Sequence, residues 1–211
     1  MERSALTGQV GIVTGAASGL GRAIAEVLAE AGARVVVADI DGAAAQRVAA
    51  DIGPMAKPVA LDVADRAALR AAVDGVAATH GRLDIMVANA GVTAGPSYLT
   101  EAGQLSGVDD AQWDRVLQVN LTSVFASIRA AAHMEPARRG RILTIASISG
   151  MKSEVMVGYA YAATKAAVIN LTRQAAMELA PFGVTVNAIA PGPHRTNIAG
   201  GRIRQPEIAA Q

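Results

Sequence analysis

The sequence predicts an α/β fold, a three-layer doubly wound parallel sheet of about six strands. Three observations predict it. Short, continuous apolar runs alternate with alanine-rich segments of helical spacing along the whole chain. The runs lack the polar alternation of a half-exposed strand, as expected when helices cover both faces. Glycines and other turn residues with chemical potential follow the C-terminal ends of the runs, where open α/β sheets bind their ligands.

The first strand is Val10 to Thr14, ending in a glycine-rich turn. Leu20 to Ala31 has helical spacing and stops at Gly32. Arg34 to Asp39 is the second strand, Asp41 to Asp51 the second helix, and Lys57 to Asp62 the third strand. Asp65 to His80 is helical, closed by Gly81, and Leu83 to Ala88 is the fourth strand. A loop rich in Gly, Ser and Thr runs from Gly91 to Val108. Asp109 to Met134 reads as one long helix. Arg141 to Ala146 is the fifth strand, Gly158 to Ala180 a helix, and Val184 to Ile189 the sixth strand. Right-handed crossovers turn this alternation into a parallel sheet with helices on both sides. Without a linker or a repeat, residues 1–211 are expected to form one domain.

Composition narrows the function classes. The chain has 211 residues, is 52% hydrophobic and 18% charged, and carries a net charge of +1. That balance suits a folded domain and gives no reason to expect a nucleic-acid partner or an anionic membrane. The absence of cysteine removes disulfides, thiolate nucleophiles and thiolate-held metal. Residues 1–8 lack the apolar run of a signal peptide, and no run approaches membrane-spanning length, so a cytoplasmic location is expected.

Two patterns carry chemistry. The first is Thr14-Gly15-Ala-Ala-Ser18-Gly19-Leu20-Gly21, between a strand and a helix. Glycines permit a tight turn and close backbone approach, and the helix N-terminus offers unpaired N–H groups to a pyrophosphate. Asp39, ending the next strand, suits the adenosine ribose hydroxyls and would repel a 2′-phosphate, which favours NAD over NADP. No basic residue lies inside the turn, and Arg22 is expected along the helix surface. The second pattern is Ser147 after the fifth strand, with Tyr161 and Lys165 one helical turn apart. These residue types can form a proton-transfer site. Alone they are equally ordinary surface residues.

With Asp62-Val63, Asn89-Ala90-Gly91, Asn120 and Asn187-x-x-x-Pro191-Gly192-x-x-x-Thr196 in order, the chain resembles the short-chain dehydrogenase/reductase family, whose fold is of Rossmann type. Ala88 departs from the family's more usual asparagine, and the Ser147-to-Tyr161 gap is long. The resemblance implies an oxidoreductase moving a hydride between a nicotinamide and a secondary alcohol or ketone. Tyr161 would be the acid/base. Its free pKa of about 10 would be lowered by the Lys165 ammonium and by the positive nicotinamide. Ser147 would bind the substrate oxygen, and Asn120 would hold a water linking Lys165 to solvent. Lys165 would also bond the nicotinamide ribose. The dinucleotide would meet Gly15, Ser18, Gly19, Leu20 and Gly21 at its phosphates and Asp39, Ile40, Asp62 and Val63 at its adenosine end, with Val63 packing on the adenine. Asn89, Ala90, Gly91, Pro191, Gly192 and Thr196 would lie nearer the nicotinamide. Asn89 has a second implied role, tying adjacent strands together. No metal site is implied.

The residues leave further expectations. Ser149, close to Ser147, is expected only to support its loop. Met151, Val155, Met156, Pro193 and Ile198 suit an apolar substrate pocket. Only a short tail follows Thr196, so the family's usual seventh strand is expected to be missing. The long helices predict a homodimer or homotetramer. Two alternatives stand beside the NAD-dependent enzyme. One is a dinucleotide-binding protein made inert by its short end. The other is an NADPH-dependent 3-oxoacyl-thioester reductase, against which Asp39 counts.

Overall fold

The computed structural model describes residues 5–93 and 95–193, so Thr196, Ile198 and the tail lie outside the described residues. Its elements are β1 (Val10–Thr14), α1 (Gly19–Glu30), β2 (Arg34–Asp39), α2 (Gly42–Ile52), β3 (Ala56–Ala60), α3 (Arg66–His80), β4 (Ile85–Ala88), α4 (Asp110–Leu117), α5 (Ser123–Ile128), β5 (Gly140–Ile145), α6 (Tyr159–Leu179) and β6 (Val184–Ile189). The strands form one parallel sheet in the order β3-β2-β1-β4-β5-β6. The order reverses between β1 and β4, which opens a crevice at their C-terminal ends.

Successive strand residues feed opposite cores. Val13, Val35, Val37 and Val87 pack with Ala25 of α1 and Val48 of α2. Ile12, Val36, Met86 and Ile142 pack on the other side with Leu69 of α3, Val124 of α5 and Val168 of α6. Burial on both faces is why the strands read as unbroken apolar runs. Aspartates start three helices: Asp41 accepts from Ala44 N at 2.9 Å, Asp65 from Ala67 N at 2.9 Å, and Asp109 from Gln112 N at 2.9 Å.

Three elements differ from the sequence expectation; the fourth strand begins at Ile85 and not at Leu83. The third strand ends at Ala60. Beyond it, Asp62 Oδ1 accepts from Ala64 N at 2.9 Å, a side-chain turn that competes with extended backbone. Pro58 is accommodated because β3 is an edge strand. The expected helix from Asp109 to Met134 is not continuous. A π turn, Gln118–Thr122, separates α4 from α5, and 3₁₀ backbone follows over Arg129–His133.

The seam between β1 and β4 has the shortest register, from Gly11 opposite Ile85 to Val13 opposite Val87. Side chains extend it at both ends. Below, Asp84 Oδ2 accepts from Val10 N at 2.9 Å while Arg82 holds both oxygens of the same carboxylate at 2.7 and 2.6 Å. Above, Asn89 Nδ2 donates to the carbonyls of Thr14 at 2.9 Å and Gly15 at 3.0 Å. Thr14 Oγ1 accepts from the Asn89 and Ala90 amides at 3.1 and 3.2 Å.

Candidate active site

The glycine turn is built so tightly that side chains are excluded. Gly15 and Gly19 have φ of +63° and +55°. A Cβ on Gly21 would lie 2.2 Å from Gly15 O and 2.4 Å from Asn89 Nδ2. The turn delivers Ser18 to the N-cap of α1, where its hydroxyl makes no capping bond, and no acidic residue occupies the first helical turn. Free N–H groups, a free hydroxyl and a first helical turn without carboxylates fit the pyrophosphate of a dinucleotide. Leu20, just inside the helix, is partly exposed.

Asp39 ends β2 and braces the same turn. Its Oδ2 accepts from Ala17 N at 2.9 Å and its Oδ1 from Asp41 N at 3.1 Å. Ile40 beside it is 64% exposed. Arg22 is committed elsewhere, to Glu26 at 2.7 Å and Asp51 at 3.1 Å. Val63, expected to pack on the adenine, is buried in the core that also holds Leu61 and Leu69. Asn89 shows the strand-tying role of the two that the resemblance implied.

The second half of the crevice is made where β5 ends. Ser147 has extended backbone and a buried side chain; its Oγ donates to Ser149 Oγ at 3.2 Å and accepts from Ser149 N at 3.2 Å. Ser149 Oγ donates to Glu154 Oε2 at 3.0 Å, and Lys152 Nζ lies 3.4 Å from Glu154 Oε1. A Cβ on Gly150 would meet Lys165 C at 2.5 Å, so the serine loop lies directly on α6. This contact explains why the sequence keeps a glycine three residues after Ser147.

Lys165, on α6, is 4% exposed, and its Nζ donates to Ile145 O at 2.6 Å. Burial lowers its pKa from 10.5 to about 8. The ammonium stands 5.6 Å from the Tyr161 ring centroid. Tyr161 itself is held above its ordinary pKa. Burial is the largest cause, the Ser147 hydroxyl opposes it, and the Glu154 carboxylate adds to it. Desolvation of the phenolate thus outweighs the lowering contribution of the Ser147 hydroxyl.

The π turn sets Asn120, which is fully buried, against the segment after β4. Its Oδ1 accepts from Val92 N at 2.8 Å and its Nδ2 donates to Val92 O at 2.8 Å. Both ends of the amide thus pin the loop, and Gly91 lies between it and Lys165: a Cβ there would be 3.4 Å from Asn120 Oδ1 and 3.8 Å from Lys165 Nζ. Pro191 O accepts from Ile148 N at 3.1 Å, which brings the Pro191-Gly192 segment to the serine loop. Met151, Val155 and Met156 are exposed, and Ser97 Oγ donates to Val155 O, joining the loops that flank the crevice. Glu154 escaped the sequence reading. Its one signal was that it is the only carboxylate between Ser147 and Tyr161.

Residues 9–207 match the model of the short chain dehydrogenase family. The chain belongs to that family. Among other short chain dehydrogenases, a galactitol 2-dehydrogenase of Agrobacterium fabrum is 39% identical over 189 residues, 89% of this chain and 71% of the relative. A cis-4-hydroxycyclohexanecarboxylate dehydrogenase of Sinomonas cyclohexanicum is 41% identical over 196 residues, 92% of this chain and 76% of the relative. The crystal structure of a 3-ketoacyl-(acyl-carrier-protein) reductase from Brucella melitensis complexed with NADH superposes with a TM-score of 0.86 at 33% identity, covering 93% of this chain and 80% of that one. As a short chain dehydrogenase, the chain is an oxidoreductase that acts on CH–OH or C=O groups of small molecules with a nicotinamide dinucleotide. Among the described residues, no helix is long and apolar enough to cross a membrane.

Proposed function

We propose that this short chain dehydrogenase oxidises a secondary alcohol, or reduces the matching ketone, with NAD, using Tyr161 as acid/base. The observation that carries this reading is the convergence of Ser147, Tyr161 and a buried Lys165 ammonium at the open end of the sheet. Tyr161 takes the alcohol proton in oxidation and returns it in reduction. Ser147 positions the substrate oxygen. Lys165, with its pKa near 8, is mostly charged at neutral pH and favours the phenolate whenever the proton leaves. Asn120 fixes the segment after β4 beside Lys165.

The dinucleotide is held by Gly15, Ser18, Gly19, Leu20 and Gly21 at its phosphates and by Asp39 and Ile40 at its ribose, with Asp62 at the adenine end. Ala90, Gly91, Pro191, Gly192 and Thr196 complete its nicotinamide side, and Asn89 serves it by fixing the glycine turn. When bound, the nicotinamide takes up or gives the hydride. Preference for NAD is supported by the fixed Asp39 carboxylate and by Arg22, whose guanidinium is paired with Glu26 and Asp51. The same carboxylate counts against an NADPH-dependent 3-oxoacyl reductase. Exposed Phe125 on α5 and Met177 on α6 support self-association through these helices, and a cytoplasmic location completes the proposal.

The test is turnover of galactitol, cis-4-hydroxycyclohexanecarboxylate and a panel of secondary alcohols with NAD or NADP, read from reduced-cofactor absorbance. Tyr161→Phe is expected to lose roughly a hundredfold or more in kcat with NAD binding retained. NAD binding without turnover of any substrate would instead support a non-catalytic dinucleotide-binding protein.

A further inference from the structure

A line of hydrogen bonds leads away from the acid/base residue into the loop before α6. Ser147 Oγ donates to Ser149 Oγ, and Ser149 Oγ donates to Glu154 Oε2. Both serines are only 6% exposed, whereas the Glu154 side chain is 23% exposed. A hydroxyl has one proton. An ionised carboxylate can only accept, so it takes the proton of Ser149. Ser149 can then offer Ser147 only a lone pair, and the Ser147 proton is drawn toward it. One carboxylate, two hydrogen bonds from Ser147, therefore fixes the polarity of the serine pair.

We propose that Glu154 is a positioning residue of the active site, whose carboxylate orients the Ser147 hydroxyl through Ser149. It does so from outside the Ser-Tyr-Lys group and touches no reacting atom. The proposal rests on Tyr161 being the acid/base.

The charged groups facing Tyr161 are few. Lys165 comes from its own helix, and Glu154 comes from the loop before it with Lys152 beyond. Asn120 from the π turn and the two serines are neutral, and the described residues 190–193 carry no charge. Among the described residues, Glu154 is therefore the one carboxylate joined by hydrogen bonds to the serine pair of the site. A nearby anion opposes a second one, so it favours the neutral phenol. Its half-shielded position moderates the effect but does not remove it. Lys152 is 65% exposed and only 3.4 Å from the carboxylate, so its ammonium is a weak, salt-sensitive counterweight.

The test is an alkaline titration of phenolate ultraviolet absorbance in the full-length protein, with circular dichroism confirming that the fold persists. Subtracting Tyr161→Phe isolates Tyr161 from Tyr98 and Tyr159. In Glu154→Gln, which keeps an acceptor for Ser149 but loses the charge, the Tyr161 midpoint moves to lower pH. Glu154→Asp, which retains the charge, returns it toward the parent value. The acid limb of kcat/KM for alcohol oxidation shifts in the same direction in Glu154→Gln. Glu154→Ala also moves the Tyr161 midpoint to lower pH, because the Ser147 proton is no longer held on Ser149 and is free to bond the phenolate. A Glu154→Gln titration that superposes on the parent would overturn the role of Glu154 while leaving Tyr161 as acid/base. Full turnover in Tyr161→Phe would overturn that assignment, and this proposal with it.

Discussion

Lys165→Met carries the most informative perturbation of stability. The Lys165 pKa falls from 10.5 to about 8 on folding, and burial is the cause. Below about pH 8 the ammonium is charged in both folded and unfolded chains, and keeping it charged inside costs about 3 kcal/mol at 1.36 kcal/mol per pKa unit. Between pH 8 and 10.5 the unfolded chain binds a proton that the folded chain has released. Stability therefore rises with pH through that window. Integrating the two titrations gives a gain of about 2 kcal/mol between pH 7 and about 9.5. Tyr161 shifts upward and acts only above its ordinary value, so it does not disturb this interval.

In Lys165→Met the gain disappears. At pH 7 the variant sheds the desolvation cost but leaves Ile145 O without its donor, a loss of about 1–3 kcal/mol. Its stability is expected to lie between the parent's value and about 2 kcal/mol above it, with turnover abolished. Denaturant unfolding of both proteins at the two pH values reads the difference directly. Parallel pH dependence in parent and variant would refute the reasoning, because it would mean that folding leaves the Lys165 pKa unshifted.

Gly21→Ala places a methyl against Gly15 O and Asn89 Nδ2 and should cost roughly 1–3 kcal/mol of stability. Calorimetry should also show NAD binding lost, since the turn must open to accept the methyl. Asn120→Ala removes both bonds to Val92 and is expected to cost about 1–3 kcal/mol. Hydrogen exchange should then speed up at Val92 more than at β1 or β2 amides.

The sheet was legible in the sequence because strands buried on both faces have no polar residues to blur the pattern. Helix starts were legible through Asp41, Asp65 and Asp109, each of which turned out to be the cap one residue before its helix. The π turn was not. Gln118 to Thr122 keeps apolar spacing close enough to helical that one surplus residue leaves no trace, and only tertiary packing reveals it. The end of β3 was misplaced for a different reason: Leu61 and Val63 are buried like strand residues, yet the Asp62 turn had already taken the backbone out of the sheet. At the site, Ser147, Tyr161 and Lys165 stood out by residue type and spacing. Glu154 did not, because its part depends on a contact with Ser149 that no helical or strand period encodes. The expected support of the loop by Ser149 understated a residue that links Ser147 to the Glu154 carboxylate.

The short ladder between β1 and β4 divides the molecule along a line of function. In the proposed reading, the segments at the phosphates and adenosine follow β1, β2 and β3, and those at the nicotinamide and the transferred proton follow β4, β5 and β6. Few main-chain bonds cross that line, so the rigidity of the join is delegated to three side chains, Asp84 at the bottom and Thr14 and Asn89 at the top. The distance from the Asp39 carboxylate to the Tyr161 phenol is then a mechanical quantity, set by side-chain rivets rather than by a continuous weld. Loosening Asn89 would let the two halves breathe against each other without unfolding either, so catalytic alignment would fail before thermal stability did.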